Sequence, residues 1–148
     1  MKIIFLDIDG VMNSSLSKGP YISDMEIEKL ELLSSLIKST KTTLLIITSD
    51  RRYSKYDMKE KIDAFRKYSI DIPIDITRRE SIDDYTDNRG RQILDCISSI
   101  EEDIDNILIL DDHDDHISSL FPNQFIHIDS RHGLDKEACD KGIEILNS

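Results

Sequence analysis

Three runs of this chain are apolar without a break: Ile3-Ile4-Phe5-Leu6 after Lys2, Leu44-Leu45-Ile46-Ile47, and Ile107-Leu108-Ile109-Leu110. Runs this short, with no polar alternation, predict strands covered on both faces of a parallel sheet. Phe125-Ile126-His127-Ile128 predicts one more strand. Residues 70 to 76 alternate apolar and polar around Pro73, which predicts a short edge strand, since proline cannot donate to a ladder. Between these segments the period changes to that of a helix. Ile27, Leu30, Leu33 and Ile37 define one buried face. Ser23, with Glu26 three residues on, reads as the capping box that opens this helix. A second helix is predicted over residues 54 to 69, with Met58, Ile62 and Phe65 inward. A third starts near Gly90 and buries Ile93, Leu94, Ile97 and Ile100. A short turn over Ile117 to Leu120 ends at Pro122, and a last helix runs from Asp135. Residues 13 to 20 and the acidic stretch around Asp83, Asp84 and Asp87 read as loops.

Strands that alternate with helices, and are buried on both faces, need helical crossovers on both sides of the sheet. The expected architecture is therefore α/β: a three-layer, doubly wound, Rossmann-like and mainly parallel sheet. A length of 148 residues suits one domain, 1–148, and leaves no room for an inserted cap: only the loop 12–22 separates the first strand from its helix.

Charge and cysteine content narrow the partners. A formal net charge of −11 argues against non-specific nucleic-acid binding through a broad basic face, though not against one phosphate held in a local cationic pocket. Cys96 and Cys139 lack metal-ligand spacing and read as free thiols. No apolar run reaches the roughly 20 residues of a membrane span, and no leader pattern precedes the first strand. The expectation is a cytoplasmic protein without a membrane partner.

In a doubly wound sheet, ligands bind beyond the carboxyl ends of the strands. The chemistry of this chain gathers there. Asp7 and Asp9 follow the first strand, Thr48 and Ser49 the second, and Asp111 and Asp112 the 107–110 strand. Four carboxylates in one crevice repel one another unless a cation neutralises them, and a small set of hard oxygen donors suits Mg²⁺. His113 and His116 interleave with acids in the same run, where a solvated loop is the simpler reading than a second metal site.

The run KIIFLDIDGV, with Asp7-Ile8-Asp9-Gly10-Val11, resembles the DxDG[T/V] signature of the haloacid-dehalogenase-like (HAD) superfamily. LLIITS resembles its second motif, NRGRQIL its third and ILILDD its fourth, in the family's order and over almost the entire chain. The start Asp9-Gly10-Val11-Met12-Asn13, the pair Ser49 and Arg52, the DDHDD run and Gly133-Leu134 are similar to small HAD domains of Swiss-army-knife RNA repair proteins. Arg51 stands where those domains commonly carry a tryptophan, a departure that weakens any carry-over of their substrate. An open, capless crevice itself implies a bulky substrate such as a nucleic-acid end or a phosphoprotein, or a partner that closes it.

The resemblance implies a Mg²⁺-dependent phosphatase acting on a phosphorylated substrate. Asp7 would be the nucleophile and Asp9 the acid and base. Ser49, with Thr48 as the alternative hydroxyl, would bind the phosphoryl group together with Arg89. The metal would be held by Asp7, Asp112, its neighbour Asp111 and the main-chain carbonyl of Asp9. Arg91 is the rival to Arg89, which fits the spacing to Ile93 better. An acid at position 9 favours esters, because an alkoxide needs a proton and a halide does not. Two other readings stay open: a receiver-like phosphoacceptor domain, and a HAD fold used as a binding module. The first is disfavoured because the third strand offers no aspartate at its tip, and the second by retention of Asp7, Asp9, Ser49 and Asp112.

Overall fold

The computed structural model describes residues 1–48, 53–77 and 88–148. Five strands form one parallel sheet: β1 (Lys2–Asp7), β4 (Leu44–Thr48), β5 (Ile74–Ile76), β6 (Asn106–Asp111) and β7 (Phe125–His127). A separate hairpin comprises β2 (Tyr21–Ile22) and β3 (Met25–Glu26). The helices are α1 (Ile27–Thr40), α2 (Lys55–Lys67), α3 (Arg89–Ser99), α4 (Ile117–Leu120) and α5 (Lys136–Asn147).

The strand order is β5-β4-β1-β6-β7. The chain winds outward from β1 through β4 to β5, then crosses back to lay β6 on the other side of β1. Strand order therefore reverses between β1 and β6, where the loops diverge and leave a crevice. Leu6 pairs with Leu110 and Asp7 with Thr48, so the carboxyl ends of the three central strands lie level.

The uninterrupted apolar runs serve both faces of the sheet. Ile4, Leu6, Leu45, Ile47, Leu108 and Leu110 share one core with Leu30 and Leu33 of α1, Phe65 of α2 and Leu146 of α5. The intervening Ile3, Phe5, Ile46, Ile107 and Ile109 pack with Ile93 of α3 and Ile117 of α4. Each such side chain contributes about 1.5–3 kcal/mol on burial. The result is the three-layer fold that the sequence pattern predicts. Among the described residues no cap domain is inserted. None of their helices is long and apolar enough to cross a membrane.

Helix starts follow local chemistry. The side chains of Ser54, Asn88 and Asp135 accept the amides of Asp57, Arg91 and Ala138, as N-caps do. The expected capping box at Ser23 is a misreading. Ser23 and Asp24 have positive φ (50° and 62°), which a two-residue type I′ hairpin turn requires, and Tyr21 pairs with Glu26 across it. The helix starts only at Ile27, with Glu26 at the cap position and no capping side chain. The Glu26 amide instead donates to the Met12 carbonyl, and the Ser14 hydroxyl donates to the Glu26 carboxylate. The predicted 70–76 strand is shorter than expected, because only Ile74–Ile76 pair with β4. Ile70 is buried in the core and the Pro73 carbonyl accepts the Leu45 amide. The acidic loop around Asp83, Asp84 and Asp87 lies outside the described residues.

Candidate functional site

At the switch point, side-chain direction decides what meets. Asp7, Thr48 and Asp111 continue the alternation of Phe5, Ile46 and Ile109, so all three fall on the face that α3 covers. Arg89, the first residue of α3, reaches into this row. Its Nη1 lies 2.6 Å from Asp111 Oδ2 and 3.6 Å from Asp7 Oδ1, and donates to Thr48 Oγ1 at 3.2 Å. The side chains of Arg89 and Asp111 are 8% and 1% exposed, and that of Asp7 13%, so these charges meet out of bulk water. Of the two candidate arginines, the structure brings Arg89 into the crevice. Arg91 is exposed and pairs with Asp95 one turn along α3.

The start of α3 is held by the acidic run after β6. The Arg89 amide donates to the Asp115 carboxylate, and the Gly90 amide to the Asp115 carbonyl. A Cβ on Gly90 would lie 2.4 Å from the His116 carbonyl oxygen, so the close approach of α3 to this loop requires glycine. Asp114 accepts the Ser118 amide at the head of α4. His113 and His116 are exposed and lie outside any acidic cluster found among the described residues.

Oxygens of Asp7, Asp111 and Asp112 all lie within 4.8 Å of one another. Asp112 comes this close because position 10 has no side chain: a Cβ there would sit 2.2 Å from Asp112 Oδ2. The backbone of Gly10 also has φ +85°, a conformation that glycine adopts readily. His127 Nε2 lies 2.9 Å from the Asp112 carbonyl oxygen and steadies that residue from β7. Asp9 is not one of these three carboxylates. Its Oδ1 accepts a hydrogen bond from Asn13 Nδ2.

The electrostatics follow from this crowding. Burial, followed by the charge of Asp111, pushes the Asp7 carboxyl up to about 9, against the opposing pull of Arg89. Burial also raises Asp111, with Arg89 and the His113 amide working the other way. One guanidinium cannot offset three carboxylates. A hard divalent cation fits the deficit, since the cluster offers only oxygen donors and gains full ionisation when charge is supplied. Asp7, Asp111 and Asp112 are the side chains that could hold it.

Of the residues singled out in the sequence, the structure brings together Asp7, Thr48, Arg89, Asp111 and Asp112, while Asp9 follows Asp7 by two residues and contacts Asn13. Ser49 lies outside the described residues, as do Arg51 and Arg52. Three residues escaped the sequence reading: Asn13, Asp115 and His127. Asn13 carried a signal, since it sits four residues after Asp9 in a tight turn. Asp115 and His127 act through contacts distant in sequence and gave none. The tip of β5, Ile76 followed by Thr77, carries no phosphoacceptor aspartate.

A doubly wound parallel sheet with acids at the ends of β1 and β6, bridged by an arginine from the start of α3, fits a HAD-like α/β domain. The chain belongs to the family described as the HAD domain in Swiss Army Knife RNA repair proteins, whose profile matches residues 3–139. Membership points to a hydrolase of the phosphatase type. No curated protein and no solved structure matches the chain.

Proposed function

We propose that this protein is a Mg²⁺-dependent phosphomonoesterase working through an aspartyl-phosphate. The observation that carries the reading is the buried row Thr48–Asp7–Asp111, bridged by Arg89 at the point where strand order reverses.

Asp7 attacks phosphorus with one carboxylate oxygen, and the ester oxygen departs with a proton from Asp9. Asp9, now ionised, takes a proton from water, which attacks the acyl-phosphate, releases inorganic phosphate and restores Asp7. Arg89 faces the same crevice, where it offsets negative charge on the carboxylates and on the phosphoryl oxygens. Thr48 holds the Arg89 nitrogen in place, and Ser49 adds a hydroxyl for the phosphoryl group. Asp7, Asp111, Asp112 and the Asp9 main-chain carbonyl would hold Mg²⁺, which would supply charge neutralisation.

Only the hairpin β2–β3 stands between β1 and α1, which favours a bulky substrate. The name of the family directs the choice toward a phosphate at the end of a nucleic-acid strand. The net charge of −11 then requires that binding rest on the terminal phosphate rather than on the backbone.

The test is hydrolysis of a generic aryl phosphate, followed by a screen of 3′- and 5′-phosphorylated oligonucleotides, nucleotides, sugar phosphates and phosphopeptides. Turnover is expected with Mg²⁺, with none in chelator or in Asp7→Asn. Activity that survives either change would refute the mechanism, and inactivity on every substrate would favour a binding module.

A further inference from the structure

Asn13 uses the polar groups of its side chain to link the turn after β1 to the β2–β3 hairpin. Its Oδ1 accepts the Gly10 amide at 2.8 Å, while its Nδ2 donates to Asp9 Oδ1 at 3.2 Å and to the Asp24 carbonyl at 3.0 Å. The amide has only one workable orientation. Turned over, it would set its oxygen against a carboxylate and a carbonyl, and its NH₂ against an N–H. The side chain and its bonds to Gly10 and Asp9 are half-buried, while the bond to Asp24 lies at the surface.

The far end of this link is also fixed. Asp24 lies in the hairpin turn, and Lys61 Nζ of α2 donates to the preceding carbonyl, that of Ser23, at 2.9 Å. The Glu26 amide on β3 donates to the Met12 carbonyl, and the amides of Val11 and Met12 donate to the Ile8 carbonyl. Asn13 therefore links the hairpin turn to one oxygen of Asp9.

Resting on the phosphomonoesterase reading, we infer that Asn13 is a positioning residue for Asp9: its Nδ2 holds Asp9 Oδ1, which directs the other carboxyl oxygen to deliver the proton to the leaving group. An N–H donor on Oδ1 is compatible with both charge states of Asp9, provided the proton travels on Oδ2. Asn13 touches neither the nucleophile nor the phosphoryl group in this scheme. Its loss should hurt in proportion to how much the leaving oxygen needs a proton.

The experiment compares nitrophenyl phosphate, whose anion leaves unaided, with phenyl phosphate, which needs the acid. Both are assayed with Mg²⁺ in wild type, Asn13→Ala, Asn13→Asp, Asp9→Asn and the double variant Asp9→Asn with Asn13→Ala. Asn13→Asp retains an acceptor for the Gly10 amide but offers Asp9 no donor, so it separates turn formation from positioning. Both Asn13 variants are expected to lose about tenfold more in kcat/KM on phenyl phosphate than on nitrophenyl phosphate, because kcat/KM reports the step that expels the leaving group and acid catalysis is worth more there. Asn13→Ala should cost less than about twofold on the Asp9→Asn background. Equal losses on both esters, additive losses in the double variant, or failure of both Asn13 variants to fold would overturn the positioning role. A wild type that hydrolyses neither ester would instead overturn the phosphatase reading on which it rests.

Discussion

Arg89 Nη1 lies 2.6 Å from Asp111 Oδ2 and 3.6 Å from Asp7 Oδ1, so one nitrogen from the start of α3 ties together the ends of β1 and β6. Removing one partner of a buried ion pair leaves uncompensated charge, which costs far more than the pair's net worth. Arg89→Met is expected to lower the unfolding free energy by about 3 kcal/mol in metal-free buffer. Adding Asp111→Asn should return about 1 kcal/mol or more, because the orphaned carboxylate is gone. Urea denaturation of the four proteins in the cycle measures both, and strictly additive effects would contradict the bridge. Arg91→Ala, on the solvent side of α3, should stay within about 0.5 kcal/mol of wild type.

The raised carboxyls dictate how metal-free stability responds to pH. Folding lifts Asp7 from its ordinary 3.8 to about 9 and lifts Asp111 as well, so between these limits the folded state binds more protons than the unfolded one. The slope of unfolding free energy with pH is then negative: the contribution is fully present below the unfolded value and is lost as pH rises through the folded one. In chelator, stability from this site should fall between pH 5 and 9, and Asp7→Asn should flatten the fall. Mg²⁺ should reverse it and release protons on binding, which calorimetry in buffers of different ionisation enthalpy detects. A wild-type curve parallel to that of Asp7→Asn would rule the account out.

Asp7→Asn should separate chemistry from stability. The amide cannot act as nucleophile, so turnover is expected to vanish, yet the fold no longer confines a third acid beside Asp111 and Asp112. Without metal, the variant is expected to be more stable than wild type at pH 8 by about 1–3 kcal/mol, less than the full shift implies because the crevice admits solvent. This is the trade-off of a site built for function at some cost to the fold. A variant that is both inactive and destabilised would contradict it.

Gly10→Ala tests how Asp112 is placed. Any side chain at position 10 meets Asp112 Oδ2, and the backbone there has φ +85°. The expected cost is about 1–3 kcal/mol, together with a loss of about tenfold or more in Mg²⁺ affinity as Asp112 is pushed aside. In an Asp112→Ala background the same change should cost less stability, since only the backbone strain and the looser contact with the Cβ of residue 112 at 3.1 Å remain. Thermal melting and magnesium titration report the two effects separately.

The central strands were plain in the sequence because burial on two faces leaves no choice but continuous apolar runs. Ile3 to Leu6 and Ile107 to Leu110 show it most clearly. The hairpin was not plain. Ser23 and Glu26 have the spacing of a capping box, and nothing local in Ser23-Asp24 shows that both adopt positive φ. The competing partners were elsewhere: the Met12 carbonyl for the Glu26 amide, and the Ser14 hydroxyl for its carboxylate. The site was legible as a set of strand-end acids, and Arg89 as one of two arginines. The choice between them depends on which face of α3 meets the sheet. That also explains why Asp115, which holds the Arg89 amide from 26 residues away, gave no sign.

The two outer strands of the sheet, β5 and β7, are only three residues long each. A short edge offers few unpaired backbone groups to a neighbouring molecule, and a net charge of −11 keeps like copies apart. Loss of Arg89 should therefore leave a loosened molecule that stays dispersed and refolds, rather than one that nucleates fibrils through an open sheet margin.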